Sequence, residues 1–145
     1  METLVELAEK KRGGLIQLAL VGCKSRVSTM APLLRELNQG ENKLQSLLIP
    51  RQNLGDDGFE VICDMLRNSN QLRNLDISWN KTLAKQNDLL FKSLSKNRAL
   101  QYLNISMLAI DPKQNLKGLK MFIRRNKRLL HLNLNGIFKE VQQVK

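Results

Sequence analysis

Apolar positions recur along this chain at an almost constant interval. From Leu72 to Asn80 the sequence reads LRNLDISWN, with leucine or isoleucine at Leu72, Leu75 and Ile77 and an amide, Asn80, closing the stretch. The same arrangement restarts at Leu15, Leu44, Leu100 and Leu129, so the first leucines are 29, 28, 28 and 29 residues apart. The L-x-L alternation within each stretch predicts a short strand with one apolar face. Between strands, apolar residues fall at helical spacing, most regularly at Phe59, Ile62, Cys63 and Leu66, which predicts a helix buried along one side. Each repeat therefore supplies one strand and one helix, and stacking the repeats buries a continuous core.

Taken in order, residues 2–11 read as a helix with Leu4, Leu7 and Ala8 on one side. Gly13 and Gly14 then break it before the first strand, Leu15–Leu20. Residues 1–14 are expected to cover the N-terminal edge as a capping helix or the end of a preceding repeat. Ser28 or Thr29 should cap the next helix, with Pro32 in its first turn, Leu33, Leu34 and Leu37 inward, and Gly40 as the stop. Asp56 or Asp57 should cap the following helix. Leu90, Phe91 and Leu94 mark the inner face of the next, and Asp111-Pro112 opens the last, with Leu116, Leu119, Phe122 and Ile123 inward. Polar leads (NSNQL, KNRAL, RNKRL) return the chain to the sheet. Such crossovers make the strands parallel. The pattern defines an α/β leucine-rich-repeat solenoid over 15–137, a horseshoe arc with parallel strands on its concave face and helices on its convex face. Residues 138–145 read as a tail or truncated next repeat. The last strand, Leu129–Leu134, would then be an open edge covered by further repeats or by a partner.

The phrases LRNLDISWN and NLGDDGFEVICDMLRNSNQL, in repeats of 28–29 residues with a full helix, resemble the ribonuclease-inhibitor-like class of leucine-rich repeats. Relatives include ribonuclease inhibitor itself, the sensor domains of NOD-like receptors, the Ran GTPase-activating protein and actin regulators such as tropomodulin. The resemblance implies a binding solenoid and leaves the partner open. This chain departs from the pattern at the closing amide: only Asn80 is asparagine, with Cys23, Gln52, Leu108 and Ile137 elsewhere. Because that amide normally bonds loop backbone between repeats, looser turns are expected at Leu108 and Ile137.

Composition narrows the class. Apolar residues make up 42% of the chain but aromatics only 4%, so leucine and isoleucine must form the core. No apolar run is long enough for a membrane span. The opening METLVELAEKKRGG lacks the apolar centre of a secretory leader. Cys23 and Cys63, the only cysteines, read as buried free thiols, and with a single histidine they make no zinc site. An intracellular, cytoplasmic location follows. No P-loop or dinucleotide fingerprint occurs. Neither catalysis, cofactor nor small-molecule substrate is expected.

Residues between the core leucines point to the concave face. Trp79, Tyr102 and Met107 are expected to cluster there beside an Asp76, Asn104 and Asn133 ladder, with His131 at the C-terminal side and Arg51 just beyond the strands. An aromatic anchor among amides is the composition of a protein-binding hot spot. His131 has no nucleophile in register beside it and reads as a surface residue.

Charge is segregated. Residues 1–80 hold ten basic and ten acidic residues, and residues 81–145 hold fourteen basic and three acidic. Lys113, Lys117, Lys120, Arg124 and Lys127 recur at helical spacing, with Arg125 and Arg128 close by, and Lys92, Lys96 and Arg98 extend the patch. Such a stripe suits an acidic protein surface, anionic lipid or nucleic-acid phosphates, and no aromatic interleaves with it for base stacking. The leading reading is a non-catalytic scaffold holding a protein partner in the concave face. The alternative is a nucleic-acid- or ribonucleoprotein-associated module using the basic half. A third, implied by the resemblance alone, is an enzyme regulator of the inhibitor or GTPase-activator kind.

Overall fold

The computed structural model describes residues 4–11, 13–23, 27–40 and 42–138, with side chains from residue 30 onward in the third segment. Helix and strand alternate along it: α1 (Leu4–Lys11), β1 (Gln17–Ala19), α2 (Val27–Leu37), β2 (Ser46–Leu48), α3 (Gly55–Asn68), β3 (Asn74–Asp76), α4 (Ala84–Lys96), β4 (Tyr102–Asn104), α5 (Pro112–Arg125) and β5 (His131–Asn133). The strands form one parallel sheet in chain order. Its register pairs Leu18, Leu47, Leu75, Leu103 and Leu132 in a row. This is the α/β leucine-rich-repeat solenoid that the periodicity predicts, with each helix packed on its sequence neighbours. No helix among the described residues is long and apolar enough to cross a membrane.

The core lies between sheet and helices. Leu47, Leu75 and Leu103 are fully buried there beneath Phe59, Phe91 and Phe122, one phenylalanine from each of α3, α4 and α5. Gly118 lets α5 approach α4 closely, since a β-carbon there would come within 2.9 Å of the Phe91 β-carbon.

Side-chain amides tie repeat to repeat at two levels. Below the sheet, Gln52 Nε2 donates to the carbonyls of Leu20 (2.7 Å), Pro50 (2.9 Å) and Cys23 (3.1 Å). Asn80 Nδ2 does the same to Ile77 (2.9 Å) and Ile49 (3.0 Å). Glutamine thus takes the asparagine role one repeat earlier. At Leu108 and Ile137, where the sequence suggests looser turns, an apolar side chain stands in place of the amide. Both side chains are fully buried, and the Met107 N–H still reaches the Asn135 carbonyl at 3.0 Å. Burial of an apolar side chain there replaces the amide's hydrogen bonds. Above the sheet, the polar leads have a defined chemistry. Ser69 Oγ, Asn97 Oδ1 and Asn126 Oδ1 each accept from the N–H groups two and three residues on, closing the turn from helix to strand.

Several local expectations are corrected. α1 buries Ala8 and packs Val5 on the core, whereas Leu4 and Leu7 are exposed, because the helix is rotated by about one residue from its reading. α2 starts at Val27, so Ser28 and Thr29 lie inside it and Pro32 falls in its second turn. In α3 the N-cap is Leu54, and Asp56 and Asp57 sit in the first turn, where negative charge opposes the helix dipole favourably. Asp56 instead accepts from Gln86 Nε2 of the next helix at 2.6 Å. Asp111 does cap α5, accepting from the Lys113 N–H at 2.8 Å with Pro112 following. Ile123, placed inward by its spacing, is 48% exposed. Cys63 is buried, but Cys23 is exposed, because its loop is held through its carbonyl and its side chain turns outward. Residues 1–3 and 12 of the expected cap, and 139–145 of the tail, lie outside the described residues.

Candidate functional site

Beyond each strand the chain must turn away from the sheet, and in every repeat the turn includes a residue with positive φ at the same position, joined by Asn53 and Ala109 in two of them. Gly22, Arg51, Trp79, Met107 and Gly136 occupy that position in the five repeats, with φ between 56° and 76°. Glycine adopts this conformation freely, while L-residues pay about 1 kcal/mol or more for it. Three repeats nevertheless carry a bulky side chain here. The turn is enforced by the ladder: the N–H groups of Arg51, Trp79 and Met107 donate to the carbonyls of Ser78, Ser106 and Asn135 at 3.0 Å.

This conformation aims the three side chains outward along one rim of the concave face. Trp79 is 49% exposed, and the Arg51 guanidinium stacks over its ring, 4.3 Å from the centroid. That cation–π contact fixes the orientation of the indole while leaving its other face open. Met107 is 40% exposed and lies across Gly136, where a β-carbon would collide with its sulfur. Tyr102 pairs with His131 on the neighbouring strand, ring centroids 6.3 Å apart. Three local pairs thus stand among the residues singled out here: Trp79 with Arg51, Tyr102 with His131, and Met107 with Gly136.

Between them runs the polar ladder. Asn104 Nδ2 donates to Asp76 Oδ2 at 2.9 Å, and Asp76 Oδ1 accepts from the Ser78 hydroxyl (2.7 Å) and N–H (2.9 Å). Asn104 and Asn133 repeat the lower contact, each accepting from the N–H two residues on. The Asp76 carboxylate is thus held by three donors and stands half-buried beside Trp79. Ser78 was not singled out in the sequence, although the D-x-S spacing is its signal.

Five of the ten basic residues border one of two grooves, and the other five border neither. All of Lys92, Lys96, Arg98, Lys113, Lys117, Lys120, Arg124, Arg125, Lys127 and Arg128 are exposed. Lys92 and Lys117 flank a groove between α4 and α5 that is floored by Phe91 and Met121. Lys96, Arg98 and Arg128 instead border a second groove, at the helix-to-strand leads, together with Arg67 and Arg73. Sequence reading passed over Arg67 and Arg73 because they belong to the half with no net charge. Their signal was position, since they bracket the polar lead NSNQL.

The repeat geometry and exposed rim define a leucine-rich-repeat solenoid. No family model matches the sequence, and no curated protein matches it. Among solved structures, the chain is similar to the C-terminal domain of tropomodulin from Caenorhabditis elegans, with a TM-score of 0.75 and 14% identity over 91% of this chain and 80% of that one. It is also similar to actin-binding site 2 of leiomodin-1, with a TM-score of 0.69 and 16% identity over 91% of this chain and 77% of that one. At such identities the likeness establishes the fold. It also corrects the ribonuclease-inhibitor-like assignment, since the three-dimensional likeness lies with tropomodulin and leiomodin. A 28- or 29-residue period sets the length of the strand-helix unit, and that length does not separate solenoid classes that share it.

Proposed function

We propose that this chain is a non-catalytic scaffold that holds a protein partner along the rim of its concave face, with Trp79 as the anchor. The observation that carries this reading is the half-exposed indole, kept in a left-handed turn where glycine would be relaxed and clamped on one face by Arg51. A rigid aromatic loses little conformational freedom on binding, so its burial is converted efficiently into affinity. Asp76 and Asn104, already fixed by hydrogen bonds, supply an oriented polar border.

The similar leiomodin-1 structure is an actin-binding site, which makes actin the first partner to assay. Immobilised monomeric actin should capture the chain, and Trp79→Ala should weaken capture by roughly 30-fold, about 2 kcal/mol. Equal capture of the variant removes the rim from the site, and no capture of either removes actin as the partner. The nucleic-acid reading gains no support from the basic helices, whose own aromatic side chains, Phe91 and Phe122, are buried.

A further inference from the structure

Hollows form where the helix-to-strand leads of successive repeats meet, and the one beside Arg73 differs from the one before it, which is lined mainly by amides, in its charge. It is an open hollow of about 310 Å³ bordered by Arg67, Arg73, Lys96, Arg98 and Arg128 from three successive repeats. No carboxylate borders it. Among the described residues, only Arg67 of these five is in an ion pair, with Asp64.

Cations near helix C-termini ordinarily serve the helix dipole and its unpaired carbonyls. That accounts for Arg67 and Lys96, in the last turns of α3 and α4. Arg98 likewise serves a helix end, since its side chain donates to the carbonyl of Arg125, the last residue of α5, but the dipole does not account for Arg73 and Arg128, which lie beyond the helices. The C-terminal carbonyls of α3 are moreover already served, because Asn97 Nδ2 donates to Leu66 (2.8 Å) and Ser69 (3.3 Å). Two of the arginines are also held in place. Arg73 Nη1 donates to the Ala99 carbonyl at 3.1 Å and Arg98 Nη1 to the Arg125 carbonyl at 2.8 Å. Each bond uses one of the five N–H donors of a guanidinium and leaves the others free for a ligand.

We infer that this groove binds a compact anion carrying two or more phosphate groups. Fixed guanidinium forks match phosphate oxygens in bidentate geometry. Adjacent strands are about 5 Å apart, so cations drawn from three repeats spread over roughly 10 Å, wider than a single phosphate. Because the five cations gather around one hollow instead of running along one helix, they suit a compact polyanion better than a polymer laid along a stripe. This site stands on the face opposite the helix N-termini and does not depend on Trp79.

Inorganic tripolyphosphate is the probe, titrated calorimetrically in buffer of physiological ionic strength. Wild type should bind it, and the exposed triple variant Lys96→Gln/Arg98→Gln/Arg128→Gln should bind at least tenfold more weakly. The control Lys113→Gln/Lys117→Gln/Lys120→Gln removes the same charge from α5 outside the groove and should weaken binding less than about threefold, a screened long-range effect. Thermal melts establish that both variants fold. Absence of binding by wild type, or equal loss in the two variants, overturns the proposal. Vesicles bearing phosphatidylinositol 4,5-bisphosphate separate the two sources of the same chemistry. Capture reversed by tripolyphosphate places the phosphates on a lipid, and binding of tripolyphosphate alone places them in solution.

Discussion

The backbone N–H of Gln52 donates to Oδ1 of Asn80, one repeat further along, at 3.0 Å, while Asn80 Nδ2 returns a bond to the Ile49 carbonyl. Two residues 28 positions apart thereby lock the loops of adjacent repeats in register. Both side chains are fully enclosed. Asn80→Ala leaves several buried groups without partners and should cost about 2–3 kcal/mol in denaturant titration. A cost near zero would mean water replaces the amide without penalty.

Leu75 is the central leucine of β3 and has no exposed surface. Leu75→Ala should destabilise the chain by about 2–5 kcal/mol. Ile123→Ala, at an exposed helix position, should change stability by less than about 0.5 kcal/mol. Urea midpoints of the two variants measure the contrast, which would vanish if α5 were rotated to bury Ile123.

Trp79 permits a test in which stability and binding move apart. Its φ of 58° favours glycine, so Trp79→Gly relieves about 1 kcal/mol of backbone strain while losing the Arg51 contact. Thermal stability should stay within about 1 kcal/mol of wild type. Affinity for a concave-face partner should nevertheless fall at least as far as in Trp79→Ala. Comparable loss of stability and affinity would show that Trp79 is a packing residue.

Burial pushes the Cys63 thiol up from 9.0 to about 12, with the Ser93 hydrogen bond and the Arg67 charge pulling the other way. The folded state thus holds the thiol protonated more firmly than the unfolded chain does. The associated stability is fully present below 9.0 and is lost as pH rises toward about 12. Denaturation midpoints should fall over that window less steeply for Cys63→Ala than for wild type. Iodoacetamide should modify exposed Cys23 in the native state well before Cys63.

What the sequence determined by itself is whatever the repeat encodes in one dimension. The spacing of Leu15, Leu44, Leu72, Leu100 and Leu129 fixed the strand register, the parallel sheet and the burial of Leu47, Leu75 and Leu103. These follow because side-chain direction alternates in a strand and a single apolar face must be covered. Asp111-Pro112 was equally legible, since a helix start is a local matter. Tertiary structure alone decided how neighbouring repeats meet. The left-handed turn that presents Trp79 to Arg51 is imposed by hydrogen bonds to the next repeat, and no residue preference at Arg51, Trp79 or Met107 announces it. The outward turn of Cys23, the exposure of Leu4, Leu7 and Ile123, and the gathering of Arg67 and Arg73 with Arg128 have the same origin. Helix rotation and the meeting of charges depend on packing across repeats, where residues distant in sequence become neighbours and helical spacing fixes a face only to within about one residue.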